Sequence, residues 1–340
     1  MAKRTLTRRQ AWRIDKIQEE RLARARRRSV TDETLTGAQL GPERPGLVIA
    51  NFGAAVELTG DDGTTYRCRL RQNLETLVPG DRVIWQQLGR QQEGVVIAIE
   101  PRETLLARPD PRGELRPLAA NIDQILVVAA PRPVYSTDLI DQYLVAAESS
   151  GIHPLIVMNK VDLLTRGEEK AALERDLERY RQLGYQTLWA STRTAHGLDA
   201  LGAALRDKVS VFVGQSGVGK SSLVQRLLPE QTVRVGELME RSGLGRHTTS
   251  ASRYYRLPGG GAIIDSPGVR EFALWHMEPQ ALARGFIEFR QYLGRCRFRD
   301  CRHRNEPGCA LQEAVKNGEI SAERLDSYHR MVATQEQPTR

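Results

Sequence analysis

Apolar positions recur along this chain with two different periods. Between Gly46 and Glu100 they fall in short runs, Gly46–Asn51, Ala54–Leu58, Thr64–Leu70, Asp81–Gln87 and Gly94–Ile99. Turn residues separate the runs: Gly53, Gly60-Asp61-Asp62-Gly63, Pro79-Gly80 and Gly89. Five short strands in about 55 residues predict a small β-barrel of the OB type. Arg67, Arg69 and Arg71 alternate and therefore share one strand face. Pro101–Pro117 reads as a loop. Beyond it strand and helix periods alternate: strand Ile122–Ala130, helix Ser136–Ser150 with Thr137 as N-cap and Gly151 just past its end, and strand His153–Met158. The amphipathic helix Gly167–Leu183 follows, then strands Gln186–Ala190 and Val209–Val213, helix Lys220–Leu228 and strand Ala262–Ile264. This alternation predicts a doubly wound α/β domain. Residues 279–340 are helical at both ends around a cysteine cluster, and residues 1–40 lack sustained apolar periodicity after Leu22. The expected organisation is a basic, disordered extension (1–40), a barrel (41–105), an α/β domain (112–278) and a helical metal-binding domain with a flexible C-terminal end (279–340).

Composition removes several function classes. No run approaches the ~18 uninterrupted apolar residues that a membrane span needs, and the N-terminus has no apolar stretch long enough for a secretory signal. A membrane protein and a secreted disulfide scaffold are excluded on these grounds. Net charge is +8, and residues 1–28 supply all of it, with eleven Lys/Arg against Asp15, Glu19 and Glu20. Arg makes up 43 of the 50 basic residues. That bias suits bidentate phosphate contacts, and a genome rich in Arg codons gives the same count. Cys296, Cys301 and Cys309 lie within fourteen positions while Cys68 stands alone, a spacing that points to metal binding in a reducing cytoplasm. No heptad demands more than a monomer.

Strand Val209–Val213 runs into Gly214-Gln215-Ser216-Gly217-Val218-Gly219-Lys220-Ser221-Ser222. This is a G-x-x-x-x-G-K-S phosphate loop, whose glycines let backbone N–H groups converge on phosphates. Lys220 reaches the β- and γ-phosphates, and the Ser221 hydroxyl ligates Mg²⁺. Asn159-Lys160-Val161-Asp162, at the end of strand His153–Met158, selects the base. The Asp162 carboxylate accepts from guanine N1–H and the N2 amino group together, a pair that adenine lacks. The Lys160 stem can lie along the base plane. Asp265-Ser266-Pro267-Gly268 closes strand Ala262–Ile264, with Asp265 on Mg²⁺ through a water and the Gly268 N–H at the γ-phosphate. Gly243-Leu244-Gly245-Arg246-His247-Thr248-Thr249 lies between the two as a nucleotide-sensing switch, in which Thr249, with Thr248 as the alternative, supplies the second Mg²⁺ hydroxyl. Ser191 and Thr192, after a strand, suit a final base-contacting loop.

Most GTPases carry the phosphate loop first and Asn-Lys-x-Asp near the end. Here Asn-Lys-x-Asp and Ser-Thr precede the phosphate loop, which is the order of a circular permutation. Together with Gly245-Arg246-His247-Thr248-Thr249, Asp265-Ser266-Pro267-Gly268-Val269-Arg270-Glu271-Phe272 and the cysteine spacing, this order closely resembles the RsgA family over Gly46 to about Tyr328. The resemblance implies an OB domain, a circularly permuted P-loop GTPase domain and a C-terminal zinc domain. It also implies a task in late maturation of the small ribosomal subunit, with slow intrinsic GTP hydrolysis that the subunit stimulates.

Where many small GTPases place a Gln after the Asp-x-x-Gly glycine, this chain has Val269, which cannot orient the nucleophilic water. His247, beside the Mg²⁺ threonines, is the nearest replacement. Cys296-x₄-Cys301-x-His303-x₅-Cys309 supplies three thiolates and one imidazole, a closed set suited to one structural Zn²⁺. Arg295, Arg297, Arg299, Arg302 and Arg304 surround it with Asp300 among them, a pattern suited to rRNA phosphates. The expected protein is a cytoplasmic GTPase that binds the small subunit in its GTP form and leaves on hydrolysis to GDP. An RNA chaperone holding GTP as a structural ligand and a translation factor on mature ribosomes are the alternatives.

Overall fold

The computed structural model describes residues 40–71, 74–89, 92–110, 114–228, 252–265 and 277–336. The expected extension and C-terminal end, the switch threonines, His247, Gly268 and Val269 lie outside them. The described residues fall into two compact units, one within Met1–Glu103 and Ala251–Tyr254, the other within Thr104–Ser250 and Tyr255–Arg340.

In the first unit, strands β1 (Leu40–Asn51), β2 (Ala55–Gly60), β3 (Thr65–Leu70), β4 (Arg82–Leu88) and β5 (Glu93–Ile99) close into a barrel. The pairs β1–β2, β2–β3, β4–β5 and β1–β4 are antiparallel, and β3–β5 is parallel. Side chains alternate as the pattern requires: Tyr66 and Cys68 of β3 are buried while Arg67 and Arg69 face solvent. Trp85 fills the barrel and donates from Nε1 to the Pro45 carbonyl at 3.1 Å. A Cβ at Gly94 would lie 2.7 Å from the Trp85 ring and from the Gln86 carbonyl, so only glycine admits the indole there. Just before β4, fully buried Asp81 accepts from Arg102 Nε (2.7 Å) and Nη2 (2.8 Å) and from the Val78 N–H (2.8 Å). Arg253 lies opposite Ala50 and pairs with Glu57 at 2.9 Å.

The second unit opens with a hairpin, β6 (Leu105–Pro109) and β7 (Leu115–Ala120), where the sequence reads as loop. A parallel sheet follows, built of β8 (Gln124–Ala129), β9 (His153–Met158), β10 (Gln186–Trp189), β11 (Val209–Val213) and, after β12 (Arg253–Arg256), β13 (Ala262–Asp265). Its order is β10-β9-β8-β11-β13. Begun at β11, the strands would run in the order of an uncut P-loop domain; the chain enters it at β8 instead. Helices α1 (Thr137–Ser149), α2 (Gly167–Gln182), α3 (Leu198–Leu205) and α4 (Lys220–Leu227) connect the strands. The N-cap of α1 is Ser136, not Thr137. Ser136 is extended (φ −116°, ψ 127°) and its Oγ accepts from the Leu139 N–H, whereas Thr137 is already helical.

The C-terminal segment adds α5 (Pro279–Gly285), α6 (Ala310–Lys316) and α7 (Ala322–Glu336) around Phe286, Phe289, Leu311 and Tyr328, a cluster that takes in Val145 of α1. Gly285 is what lets α5 approach α1, because a Cβ there would lie 2.5 Å from Val145 Cγ1. Arg324 of α7 sits in the same seam. Its guanidinium binds Asp141 of α1 and both Glu288 oxygens (2.6 and 3.2 Å), 4.5 Å from the Phe286 ring centroid. Burial by itself would lower Arg324, but the two carboxylates hold it above the ordinary arginine value.

Candidate functional site

Parallel register brings the chemistry-bearing loops to one edge. Ala129 of β8 lies opposite Met158 of β9, Trp189 of β10 opposite Met158, and Val213 of β11 opposite Val127 of β8. Asn159, Ser191, Gly214 and Asp265 therefore leave the carboxyl ends of neighbouring strands, where open α/β sheets bind ligands.

The phosphate loop needs its outer glycines. Gly214 has φ 135°, and a Cβ on it would come 2.1 Å from the Val128 carbonyl oxygen. Gly219 has φ 93°, and its Cβ would lie 2.5 Å from Asn159 Nδ2. That close approach joins two motifs. Asn159, fully buried, donates from Nδ2 to the Val218 carbonyl at 2.9 Å, and Lys160 Nζ donates to the Gly217 carbonyl at 2.5 Å. Lys160 is left-handed at φ 58°, a sparsely populated backbone for a non-glycine residue, and it caps the short 3₁₀ turn Val161–Leu163 that carries Asp162. Asn159 Oδ1 is buried with no hydrogen-bond partner among the described residues.

Asp162 is oriented by the loop after β10. Ser191, fully buried, donates from Oγ to Asp162 Oδ1 at 2.5 Å while accepting from the N–H groups of Arg193 (3.2 Å) and Thr194 (3.3 Å). Thr192 is half-buried beside it. Exposed Arg193 places Nη1 3.9 Å from Asp162 Oδ2. Lys220 opens α4 and donates from Nζ to the carbonyls of Gly214 (2.6 Å) and Gln215 (2.7 Å), fixing its ammonium across the mouth of the loop. Ser221 lies in the first turn of α4 and Asp265 at the end of β13, the strand beside β11. Gln215, Ser216 and Gly217 are exposed on the loop, and Ser222 is exposed on α4.

Sequence reasoning missed the segment after β8. The Arg132 carbonyl accepts a second bond from Lys160 Nζ at 3.2 Å, and Pro133 lies within contact distance of a Cβ built on Gly217. The one available signal was Pro131-Arg132-Pro133, placed where the buried strand ends.

Away from this edge, one ligand atom from each of Cys296, Cys301, His303 and Cys309 lies within 4.8 Å of the others. His303 Nδ1 is 3.5 Å from the sulfurs of both Cys296 and Cys309. Tetrahedral zinc with Zn–S of ~2.3 Å and Zn–N of ~2.0–2.1 Å sets that edge at about 3.5 Å, so the residues fit the ion. Burial lowers His303, keeping the imidazole in the neutral form that ligates. Burial also pushes the Cys301 thiol up to about 12, a cost that a divalent cation offsets by stabilising the thiolate. The Ala310 N–H, at the start of α6, points to Cys296 Sγ at 3.4 Å, and His329 Nε2 bonds the His303 carbonyl at 2.8 Å.

Residues 99–275 match the family described as RsgA GTPase. The small ribosomal subunit biogenesis GTPase RsgA of Azotobacter vinelandii is 54% identical over 343 residues, covering 99% of this chain and 99% of that protein. The protein of the same name from Chromohalobacter salexigens is 54% identical over 337 residues, 98% of each. The crystal structure of YjeQ from Thermotoga maritima superposes with a TM-score of 0.71 at 31% identity, over 88% of this chain and 100% of that one. YloQ, described as a circularly permuted GTPase, gives 0.70 at 27% identity over 88% and 98%. With likeness running end to end, and with the guanine motif bonded to a phosphate loop that follows it in sequence, the chain belongs to the RsgA family of circularly permuted GTPases.

Proposed function

We propose that this protein is a GTPase of small ribosomal subunit biogenesis: it binds the immature subunit in its GTP form, hydrolyses GTP when the subunit stimulates it, and is released. The observation that carries the reading is the bonding of Asn159 and Lys160 to Val218 and Gly217, with Ser191 holding Asp162. Base-reading and phosphate-holding groups thus form one polar site before any ligand arrives, the preorganisation on which phosphoryl transfer depends. Asp162, set by Ser191 with Thr192 beside it, accepts from guanine. Gly214 through Ser222 and the Gly268 N–H hold the phosphates. Ser221, Thr249 and Asp265 would hold Mg²⁺, which would supply positive charge to the phosphates. Lys220 neutralises charge as the γ-phosphate leaves, and His247 orients the attacking water in place of the Gln that Val269 replaces.

The functional parts are the barrel (41–105), the permuted GTPase domain (112–278) and the zinc-bearing segment (279–340), acting as a cytoplasmic monomer. The barrel offers rRNA the exposed Arg67 and Arg69, and the zinc-bearing segment offers it an Arg-rich loop. Zinc supplies the cross-link that fixes this loop, and Cys296, Cys301, His303 and Cys309 leave no open position for chemistry at the metal. No described helix is long and apolar enough to cross a membrane.

GTP turnover by the purified chain, alone and with added small subunits, tests the proposal, with ATP and His247→Ala alongside. Strong stimulation by subunits, absent with ATP and lost in the variant, is expected. A flat rate would favour the chaperone that keeps GTP as a structural ligand.

A further inference from the structure

The metal-ligand loop displays a large aromatic ring that stands outside the neighbouring apolar cluster. Phe298 is 43% exposed, although Phe286 and Phe289, nine or more positions earlier, are fully buried in the neighbouring cluster. The loop holds Phe298 in place from both sides. Arg297 N–H donates to the Gly308 carbonyl at 3.0 Å, and Cys301 N–H donates to the Phe298 carbonyl at 3.4 Å. The Arg297 guanidinium lies over the ring at 5.6 Å from its centroid. Beside it runs a cleft of about 840 Å³ into which Arg284, Arg297, Arg299 and Arg302 project along with Glu278 and Asp300. Arg297, Arg299 and Arg302 are exposed and have no ion-pair partner among the described residues.

We infer that this cleft binds an unpaired RNA strand, with one base stacked on Phe298 and the arginines on the flanking phosphates. An exposed ring in a basic cleft is the combination that single-stranded nucleic acid requires: charge tracks the backbone, and a π-face takes the base. A duplex does not satisfy it, because paired bases are stacked within the helix and reach no side-chain ring. An acidic protein segment would match the charge and leave the ring without a planar partner. The inference deepens the ribosomal reading and rests on it for the source of the RNA.

Fluorescence anisotropy of the full-length chain with labelled hexauridylate, a blunt RNA duplex and a hexaglutamate peptide tests it. Phe298→Ala is expected to weaken hexauridylate binding about 5- to 150-fold, the range that base–aromatic stacking covers, with duplex affinity unaltered. Phe298→Tyr should retain binding, which separates a lost stack from a damaged loop. Arg299→Gln and Arg302→Gln should each reduce the slope of log affinity against log salt by about 0.7. Hexauridylate affinity that ignores Phe298→Ala overturns the inference, as does hexaglutamate binding tighter than RNA with the same Phe298 dependence. Stimulation of GTP turnover by small subunits is measured on the same preparation. If it is present while RNA binding ignores Phe298, this inference falls and the ribosomal reading stands; if it is absent while Phe298 governs RNA binding, the reverse holds.

Discussion

Replacing Arg324 by Ala removes the cation from the most completely buried ion cluster among the described residues. The side chains of Arg324, Asp141 and Glu288 are 8%, 3% and 7% exposed, and Tyr180 donates to the same Asp141 oxygen at 2.8 Å. Truncation leaves two carboxylates facing each other in a dry seam and strips the stem from the Phe286 ring. Breaking a buried pair in this way costs about 3–5 kcal/mol. Arg330 is the internal control: it also sits on α7 and also reaches α1, through a forked bond to Asp138 at 2.6 and 2.8 Å, but the pair is 55% and 35% exposed. Exposed pairs are worth about 0–1 kcal/mol. For a folding unit of this size, where 1 kcal/mol moves the midpoint by roughly 2–4 °C, Arg324→Ala should lower Tm by roughly 6–20 °C and Arg330→Ala by less than about 4 °C. Thermal and urea unfolding of the full chain, followed by circular dichroism, reads both. A triple variant, Arg324→Met with Asp141→Leu and Glu288→Met, should recover most of the loss, since an apolar cluster of similar volume replaces buried ions at little cost. Equal shifts for the two single variants, or a triple variant no better than Arg324→Ala, would refute this account of how the C-terminal segment is held.

Other perturbations separate the parts of the site. Asp162→Asn gives up two charge-assisted bonds to guanine, worth ~1.5–3 kcal/mol each; GTP affinity by isothermal calorimetry should fall roughly 10²- to 10⁴-fold, while xanthosine triphosphate, whose C2 oxygen accepts from an amide, should bind better than GTP. Gly214→Ala drives a Cβ to 2.1 Å from the Val128 carbonyl at φ 135°, so it should cost about 2–5 kcal/mol and abolish the thermal shift that GTP produces in the parent. Atomic emission should find one zinc per chain, and Cys309→Ser or a strong chelator should remove it and lower the helical signal. Cys68, whose thiol burial pushes up to about 12, should stay unlabelled by iodoacetamide in the folded protein at pH 8.

How much of this was legible in the sequence depended on the kind of signal. Strands β2 and β3 of the barrel were readable because alternation is strict where one face is buried: Tyr66 and Cys68 inward, Arg67 and Arg69 outward. The strands of the α/β sheet were readable as continuous apolar runs, since β8 is buried on both faces. The hairpin of β6 and β7 was not, because Pro109 and Pro117 fall within its strands and proline ordinarily argues against a ladder. Helix α3 escaped as well: its eight residues are too few for a helical period to stand out, and unlike the equally short α4 it follows no phosphate-loop motif. Ser191 and Asp162, twenty-nine positions apart, were each picked by motif, but the bond between them belongs to the packing of neighbouring strands. Asn159 shows the same limit: its residue type marks the guanine motif, and only the fold shows its amide bonded beneath the phosphate loop.

The permutation gives that packing a further consequence. In an uncut domain the segment after β8 joins two strands in the middle of the chain; here β8 is the first strand of the sheet, and its loop meets the phosphate loop at once. The Arg132 carbonyl holds Lys160, which holds Gly217, and five residues later the same segment begins α1. The buried face of α1 carries Asp141 and Val145, the two residues against which Arg324 and Gly285 are set. From α7 the contacts continue through Tyr328, whose ring lies 6.3 Å from that of His303. The metal cluster and its arginines are therefore fastened to the nucleotide domain by packed side chains as well as by the chain between Asp265 and α5, and both belong to one compact unit. A loop fixed in this manner loses little conformational entropy on meeting a partner. On the inference of RNA binding, the loop backbone is presented already fixed, while the exposed side chains of Arg297, Arg299 and Arg302 order on contact.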